Sequence, residues 1–145
     1  MKSYDARRVI NGTYGEIWLN SDYVAEVVSF EAKIAFTKQA VNQVQQFMEG
    51  VKIIGGKGTG SIKLNKVTSR MHHYLGDCIK KGVFEPMTVI SNLKDPDAFG
   101  AERVKLSGVL FDDLTLASWE AAKTGEVALP FTFTDFTPID LIDVL

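Results

Sequence analysis

The feature that most constrains the fold is an uninterrupted alternation of apolar and polar side chains from Val28 to Thr37. One side of an extended chain would carry Val28, Phe30, Ala32, Ile34 and Phe36, and the other Ser29, Glu31, Lys33, Ala35 and Thr37. A period of two over this length is typical of a β-strand with one buried and one wet face. The alternation therefore predicts a long strand in an antiparallel sheet.

Four further segments show a similar alternation, and one segment has helical spacing. The predicted strands are Gly15–Asn20, Ser61–Asn65, Glu102–Leu110 and Glu126–Phe133. Pro130 has no N–H to donate, so its strand is expected at a sheet edge or a bulge. The helix is predicted from the spacing of Val67, Met71, Tyr74, Leu75, Cys78 and Ile79, with Thr68 or Ser69 at its start and Lys80-Lys81-Gly82 at its end.

These elements predict a mainly β fold, an antiparallel β-sandwich or partly open barrel with one flanking α-helix, as a single domain over residues 1–145. An N-terminal arm of about residues 1–14 and a C-terminal tail of about 136–145 are expected to lie outside it. The predicted core consists of Phe30, Ile34, Phe36, Ile62, Leu64, Leu75, Leu106, Phe131 and Phe133.

A long loop is predicted at about residues 38–58, because the alternation stops at Lys38 and the segment ends in the glycine-rich run Gly55–Gly60. Its first half is rich in glutamine, and its second half carries the apolar residues Phe47, Met48, Ile53 and Ile54. Loops of this length are usually functional or disordered. We expect it to be mobile in a free subunit and to order against a partner.

The candidate chemical motifs do not form a catalytic or cofactor site. The glycine run lacks the Gly-Lys-Ser/Thr ending of a phosphate loop and is followed by a strand, so it is predicted to be a flexible hairpin end. His72 and His73 are adjacent and cannot converge on a metal with Cys78. The acidic pairs Asp95/Asp97 and Asp112/Asp113 are expected in turns, where Asp serves the backbone. No catalytic, metal or cofactor residue is predicted.

Composition excludes several partner classes. The chain of 145 residues has a net charge of −2, which offers no cluster of cations for gripping DNA. It has no apolar run of about 18 residues, so no membrane span is expected. The single cysteine, Cys78, fits folding in a reducing cytoplasm. We therefore expect a protein made in the cytoplasm, with no membrane partner and no sequence-specific binding of nucleic acid.

The order of several short motifs resembles the tail tube proteins of contractile-tailed phages and PBSX-type defective prophages, the XkdM-like family. The motifs are Ile10–Glu16, Ser29–Ala32, Gly58–Ser61, Lys66–Ser69, Glu102–Leu106 and Pro130–Phe136. No single motif is specific, but together they cover nearly the whole chain in the right order.

The resemblance implies a non-enzymatic subunit that forms six-membered rings stacked into the inner tube of a contractile tail. Its implied partners are itself and the tail sheath, baseplate and tail terminator proteins, and the sequence leaves open whether DNA passes through the lumen. A secretion-tube-like subunit of a related injection machine is one alternative. Another is a small monomeric β-barrel that binds a ligand, which requires a preformed apolar cavity.

Two sets of residues are then predicted to serve assembly. The wet side of the long strands, if it faces a water-filled channel, supplies the lumen-lining set Ser29, Glu31, Lys33, Thr37, Ser61, Lys63 and Asn65. The apolar residues Phe47, Met48, Ile53 and Ile54 are predicted to contact the next ring.

Overall fold

The computed structural model of the protein, which describes residues 3–143, contains one open antiparallel sheet and one α-helix. The helix α1 spans Arg70–Lys81. The strands are β1 (Gly15–Leu19), β2 (Asp22–Tyr23), β3 (Val27–Val41), β4 (Gly50–Asn65), β5 (Met87–Lys94), β6 (Ala101–Phe111), β7 (Glu126–Phe133) and β8 (Asp135–Asp140). The predicted fold class is confirmed.

The sheet has the strand order β2-β1-β5-β6-β7-β4-β3, and β8 also pairs with β6. β7 and β8 are two parts of one bent strand, because both pair with β6 on either side of a bend at Thr134. Opposite this bend, Gly108 has a φ of 68°, in the left-handed region that favours glycine. Beyond the bend, β8 follows β6 while β4 and β3 continue in another direction, so the sheet divides into two branches.

The core lies between the two branches and contains most of the predicted residues. Ile62, Leu64, Leu75, Leu106, Phe131 and Phe133 are buried, and Phe30 packs against them partly buried. The prediction is wrong for Ile34 and Phe36, which are exposed. They continue the same alternation as Phe30, but β3 runs past the end of the core, where no element among residues 3–143 forms a second layer over its apolar face.

The helix begins after Ser69 and ends at Gly82, as the sequence predicts. Met71 and Leu75 are its buried residues, whereas Val67 lies outside the helix and both Val67 and Ile79 are exposed. The predicted apolar stripe is therefore too wide, because the helix touches the core with little more than one turn of its surface.

An ion pair fastens the start of the helix to the turn before β3. Arg70 Nε lies 3.0 Å from Glu26 Oε1, and the Glu26 side chain is only 8% exposed. Burial by itself would raise the pKa of Glu26, but hydrogen bonds from Arg70 and the backbone outweigh it and hold the pKa below its ordinary value. The same Arg70–Glu26 hydrogen bond raises the pKa of Arg70. Both groups are therefore charged at neutral pH.

The predicted loop at about residues 38–58 is wrong in most of its length. β3 extends to Val41 and β4 begins at Gly50, so residues 42–49 alone connect the two strands. The alternation stops at Lys38, where an extra residue in β4, Ile54, shifts the register between the pairs Thr37–Gly55 and Lys38–Ile53. The result is a long hairpin, β3–β4, of which the outer half projects beyond the core.

The chain ends are more ordered than the sequence predicts. Residues 136–140 of the expected tail belong to β8, and the arm contains two 3-10 turns, at Ala6–Arg8 and Gly12–Tyr14. Asp95 Oδ2 accepts a hydrogen bond from the backbone N–H of Asn11 at 2.8 Å, which ties the arm to the β5–β6 turn. The predicted arm and tail also include residues 1–2 and 144–145, which lie outside the described residues.

Pro130 lies in an interior strand, so the edge prediction is wrong for β7 as a whole. The strand is nevertheless locally unpaired toward β6, because the last β6–β7 partners are Phe111 and Phe131. The carbonyl of Pro130 accepts a hydrogen bond from Asp112 N at 2.9 Å. Pro130 therefore lies just beyond the last β6–β7 pair, so its lack of an N–H interrupts no pair of that ladder and no bulge is needed.

Candidate assembly surfaces

The predicted lumen-lining residues lie together on one exposed face of the β3–β4 hairpin. The register places Ser29 opposite Lys63 and Glu31 opposite Ser61. Paired residues of an antiparallel ladder point to the same side of the sheet. Lys33 and Thr37 continue this face along β3, and Asn65 continues it along β4; all seven side chains are exposed. We call it the polar face.

The charges on the polar face are mostly paired within the subunit. Glu31 Oε1 lies 3.7 Å from Lys33 Nζ on the same strand, and Lys63 Nζ lies 3.9 Å from Glu126 Oε2 on β7. These contacts are exposed, so each adds little to stability. The sequence reading missed Lys57, which faces the same side opposite Ala35, because it stands inside the glycine run.

The opposite face of the hairpin explains the glycine run. Gly60 lies opposite Phe131 and Gly58 opposite Phe133, and both aromatic rings lie over the β4 backbone. A Cβ on Gly58 would approach the Phe133 ring to 2.6 Å, and a Cβ on Gly60 would approach Phe131 Cζ to 2.4 Å. The prediction of a flexible hairpin end is therefore wrong, since these glycines lie within a strand and make room for core aromatic rings.

An apolar groove of about 610 Å³ opens beside these glycines, between the hairpin and the branch formed by β5, β6 and β8. One wall carries Ile34 and Phe36, and the other carries Leu93, Val104 and Phe136. The Phe36 side chain is 62% exposed. None of these residues was predicted as a contact surface, although the alternation of Ile34 and Phe36 marks them as apolar. We call this surface the apolar groove.

The tip of the hairpin, residues 42–49, is a second apolar surface. Its chain turns back through a hydrogen bond from Gln46 N to Gln43 O, with Gln45 at a φ of 64°. Phe47 is fully exposed, Val44 is 92% exposed, and Met48 is also largely exposed. The sequence reading missed Val44.

The structure separates the four predicted inter-ring residues into two places. Phe47 and Met48 lie in the tip, whereas Ile53 and Ile54 lie within β4 on the projecting half of the hairpin. All four are exposed in the subunit. Ile53 pairs with Lys38, and Ile54 stands at the register shift.

The hairpin also offers a free backbone edge. β3 is the last strand of the sheet, so one edge of its 15 residues has no strand partner within residues 3–143. An exposed long edge strand is a template for pairing with another chain. The hairpin thus combines a polar face, exposed apolar surfaces and an open edge, which is the pattern of a subunit made to associate.

The remaining candidate residues serve the backbone or other side chains. Cys78 Sγ contacts the carbonyl of Tyr74 at 3.2 Å, and His72 Nε2 lies 3.4 Å from Lys66 Nζ. Buried Asp95 accepts a hydrogen bond from Asp97 N, which confirms its predicted turn role. Within the described part of the chain, no three His, Cys, Asp or Glu side chains come together as a metal site. No described helix is long and apolar enough to cross a membrane.

Comparisons with known proteins agree with this geometry. A family profile described as "Phage tail tube protein" matches residues 2–140. The phage-like element PBSX protein XkdM of Bacillus subtilis (strain 168) is 35% identical over 133 residues, which cover 90% of each chain.

The solved structures that share the fold include the following two. The first is the sheath-tube complex of the extracellular contractile injection system PVC in the extended state, with a TM-score of 0.73, 8% identity, and coverage of 96% of this chain and 100% of that chain. The second is the tube-terminating cap of the anti-feeding prophage, with a TM-score of 0.74, 11% identity, and coverage of 94% and 95%.

The chain therefore belongs to the phage tail tube protein family, and it is a structural subunit of a tail tube. The resemblance seen in the sequence motifs is confirmed. The alternative of a monomeric ligand-binding module requires a preformed enclosed cavity, whereas the apolar groove is open to solvent.

Proposed function

We propose that this subunit forms six-membered rings that stack into the inner tube of a contractile tail or a phage-tail-like particle, with no catalytic role. The observation that carries the proposal is the β3–β4 hairpin, which has a polar face, an apolar face and an unpaired edge in one element. Ring closure by strand pairing along β3 removes that exposed edge. The six-fold count follows from what the family resemblance implies.

The first experiment examines the purified protein by sizing chromatography and negative-stain microscopy. Rings, or tubes with six-fold end views, are the expected result. A monomer that stays monomeric at high concentration argues against the proposal, and rings of another order argue against the six-fold count alone.

The polar face, in this proposal, lines the channel. A water-filled channel needs a wall of hydrated side chains, and the seven exposed polar residues lie on one side of the hairpin while the other side carries the apolar residues. The paired charges keep this wall weakly charged. Such a wall suits the passage of cargo, because it holds no cargo strongly by charge.

The channel assignment is tested by cysteine labelling of assembled tubes in a Cys78→Ser background. Ser61→Cys is placed on the polar face and Lys80→Cys, as the control, near the exposed end of α1. A small maleimide should label both positions, whereas a bulky polymer-linked maleimide should label Lys80→Cys alone. Equal labelling by the bulky reagent places Ser61 outside the channel.

The projecting half of the hairpin supplies, in this proposal, the contact between rings. Phe47 and Ile54 are exposed in the subunit, and burying such side chains stabilises a contact by about 1.5–3 kcal/mol each before ordering costs. The double variant Phe47→Ser/Ile54→Ser should therefore melt like the wild-type subunit but fail to grow tubes. Normal tube growth by this variant contradicts the contact, and a marked loss of monomer stability shows that these side chains belong to the core.

The proposed partners beyond the subunit itself are tail sheath, baseplate and tail terminator proteins, met after assembly in the host cytoplasm. The relevant support is that the structural neighbours come from a sheath-tube complex and a tube-terminating cap. Co-expression with the sheath protein of the same particle, followed by pull-down of assembled tubes, tests the nearest of these contacts.

A further inference from the structure

The apolar groove is an uncovered apolar surface at one end of the core. At the far end of β4, Met71 and Leu75 of α1 pack against the core near Leu64 and Leu129. At the groove end, no described element covers Phe36 or Phe136, and both side chains are about half exposed or more. One end of the core is thus closed by the helix, whereas the other end stays open.

The same subunit carries an apolar projection of matching character. The tip presents Val44, Phe47 and Met48, none of which packs on its own subunit to any large extent. Val44 lies within the turn that the hydrogen bond from Gln46 N to Gln43 O closes, and Phe47 and Met48 follow it directly, so the tip is an apolar projection. Because the tip and the groove of one molecule are both apolar and exposed, we consider whether the tip of one copy meets the groove of another.

The tip does not reach the groove of its own subunit. Phe36 lies on the groove wall, and β3 continues for five more residues to Val41 in ladder pairing with β4. At roughly 3.3 Å per residue, the tip begins about 17 Å beyond Phe36. A paired two-stranded ladder does not fold back on itself over so short a length. Any contact between a tip and a groove therefore joins two different copies.

We propose that the hairpin tip of one copy inserts Val44, Phe47 and Met48 into the apolar groove of the next copy along the tube. This inference rests on the proposed tube function and names the receiving surface of the inter-ring contact. Each copy gives one tip and one groove, so the contact is head-to-tail and repeats without leaving either surface free inside the tube. Tips are uncovered at one end of the tube and grooves at the other.

The test uses groove variants, a tip variant and a matched control. Phe36→Asp and Phe136→Asp place a charge on opposite walls of the groove at exposed positions, and Phe47→Asp places one in the tip. His73→Asp is the control, since it adds a carboxylate at an exposed position of α1, away from the polar face, the tip and the groove. We expect the concentration needed for tube growth to rise about tenfold or more in the three test variants and to stay close to wild type in His73→Asp.

Mixing the variants tests the contact between the tip and the groove by itself. The groove variants and the tip variant are purified separately, and each is expected to stop before tube growth. A mixture of Phe36→Asp with Phe47→Asp contains one intact tip and one intact groove, so it should form two-layer particles that grow no further. Sedimentation and electron microscopy measure the size of these particles against each variant alone.

Two results overturn the inference while leaving the proposed function standing. Tubes of normal length from Phe36→Asp and Phe136→Asp show that the groove takes no part in stacking. A mixture no larger than its separate components shows that the tip binds another surface. If wild type and His73→Asp themselves remain monomeric, the proposed function and the inference both fail.

Discussion

Gly60 should be the least replaceable of the glycines in β4, and replacing it by alanine measures how closely the core rings approach the strand. A Cβ at this position would lie 2.4 Å from the carbonyl oxygen of Glu31 and 2.4 Å from Phe131 Cζ. Ordinary contacts to a Cβ are 3.4–4 Å, so both neighbours would have to move by about 1 Å. The Glu31 carbonyl belongs to the paired β3–β4 ladder, and Phe131 is 0% exposed, so neither moves freely.

The expected cost follows from two opposing effects. Overpacking a core costs about 1–3 kcal/mol, and a clash with backbone places Gly60→Ala at the upper end. Replacing glycine by alanine at a compatible position stabilises by about 0.4–1 kcal/mol through the unfolded state. The net loss should be about 2–3 kcal/mol, which corresponds to a fall in Tm of roughly 6–12 °C for a domain of this size.

Gly55 provides the matched control in the same strand. A Cβ there would meet nothing within 4 Å, so Gly55→Ala should be neutral or slightly stabilising. Both variants are compared by denaturant unfolding and thermal melting in the Phe47→Ser/Ile54→Ser background, because assembly of the wild type would otherwise add to the apparent stability. If Gly60→Ala unfolds within about 0.5 kcal/mol of Gly55→Ala, the close approach of Phe131 to β4 is refuted.

Three further predictions concern the core and the helix. Phe131→Ala should lower the free energy of unfolding by about 3–5 kcal/mol, because the ring is fully buried, and an unchanged Tm contradicts its place in the core. Glu26→Gln leaves Arg70 without its charged partner, so the free energy of unfolding at pH 7 should fall by about 2 kcal/mol. Since the folded-state pKa of Glu26 is lowered, its stabilisation is present above the ordinary value of 4.5 and is lost as the pH falls through the folded pKa. The difference in the free energy of unfolding between wild type and Glu26→Gln should therefore become smaller at acid pH. A difference that does not change with pH argues against the ion pair. Gly76→Ala should raise the Tm by about 2–4 °C, since a Cβ meets nothing within 4 Å in the helix interior, and a lower Tm shows a packing contact at that position.

The local pattern of the sequence was sufficient to predict the class of fold. The alternation from Val28 to Thr37 predicts a two-faced strand because side-chain direction along an extended chain depends on parity alone. The helix between Ser69 and Gly82 follows from periodicity and from a glycine in the left-handed region after Lys81. The seven residues of the polar face fall on one side for the same reason. These are short-range properties, set within a few residues of each position.

Some missed elements carried a weak local signal. β5 lies between Pro86 and the Asp95-Pro96-Asp97 turn, and its Val89 is fully buried. Turn-forming residues on both sides of an apolar segment are compatible with a strand, but apolar and polar residues do not alternate regularly within this segment. β8 looks like a tail because Pro138 interrupts it, and only its pairing with β6 makes it a strand.

The tertiary structure decided which apolar residues are covered and what the glycines do. Phe30, Ile34 and Phe36 are equivalent in the pattern, yet only Phe30 packs on the core, because a second layer ends before Ile34. The local sequence alone would assign Gly58 and Gly60 to a turn. Their role appears only when β7 pairs with β4 and brings Phe133 and Phe131 over them, about 70 residues away in the chain. Burial and close packing depend on which distant segments become neighbours, and that is set by the register of the whole sheet.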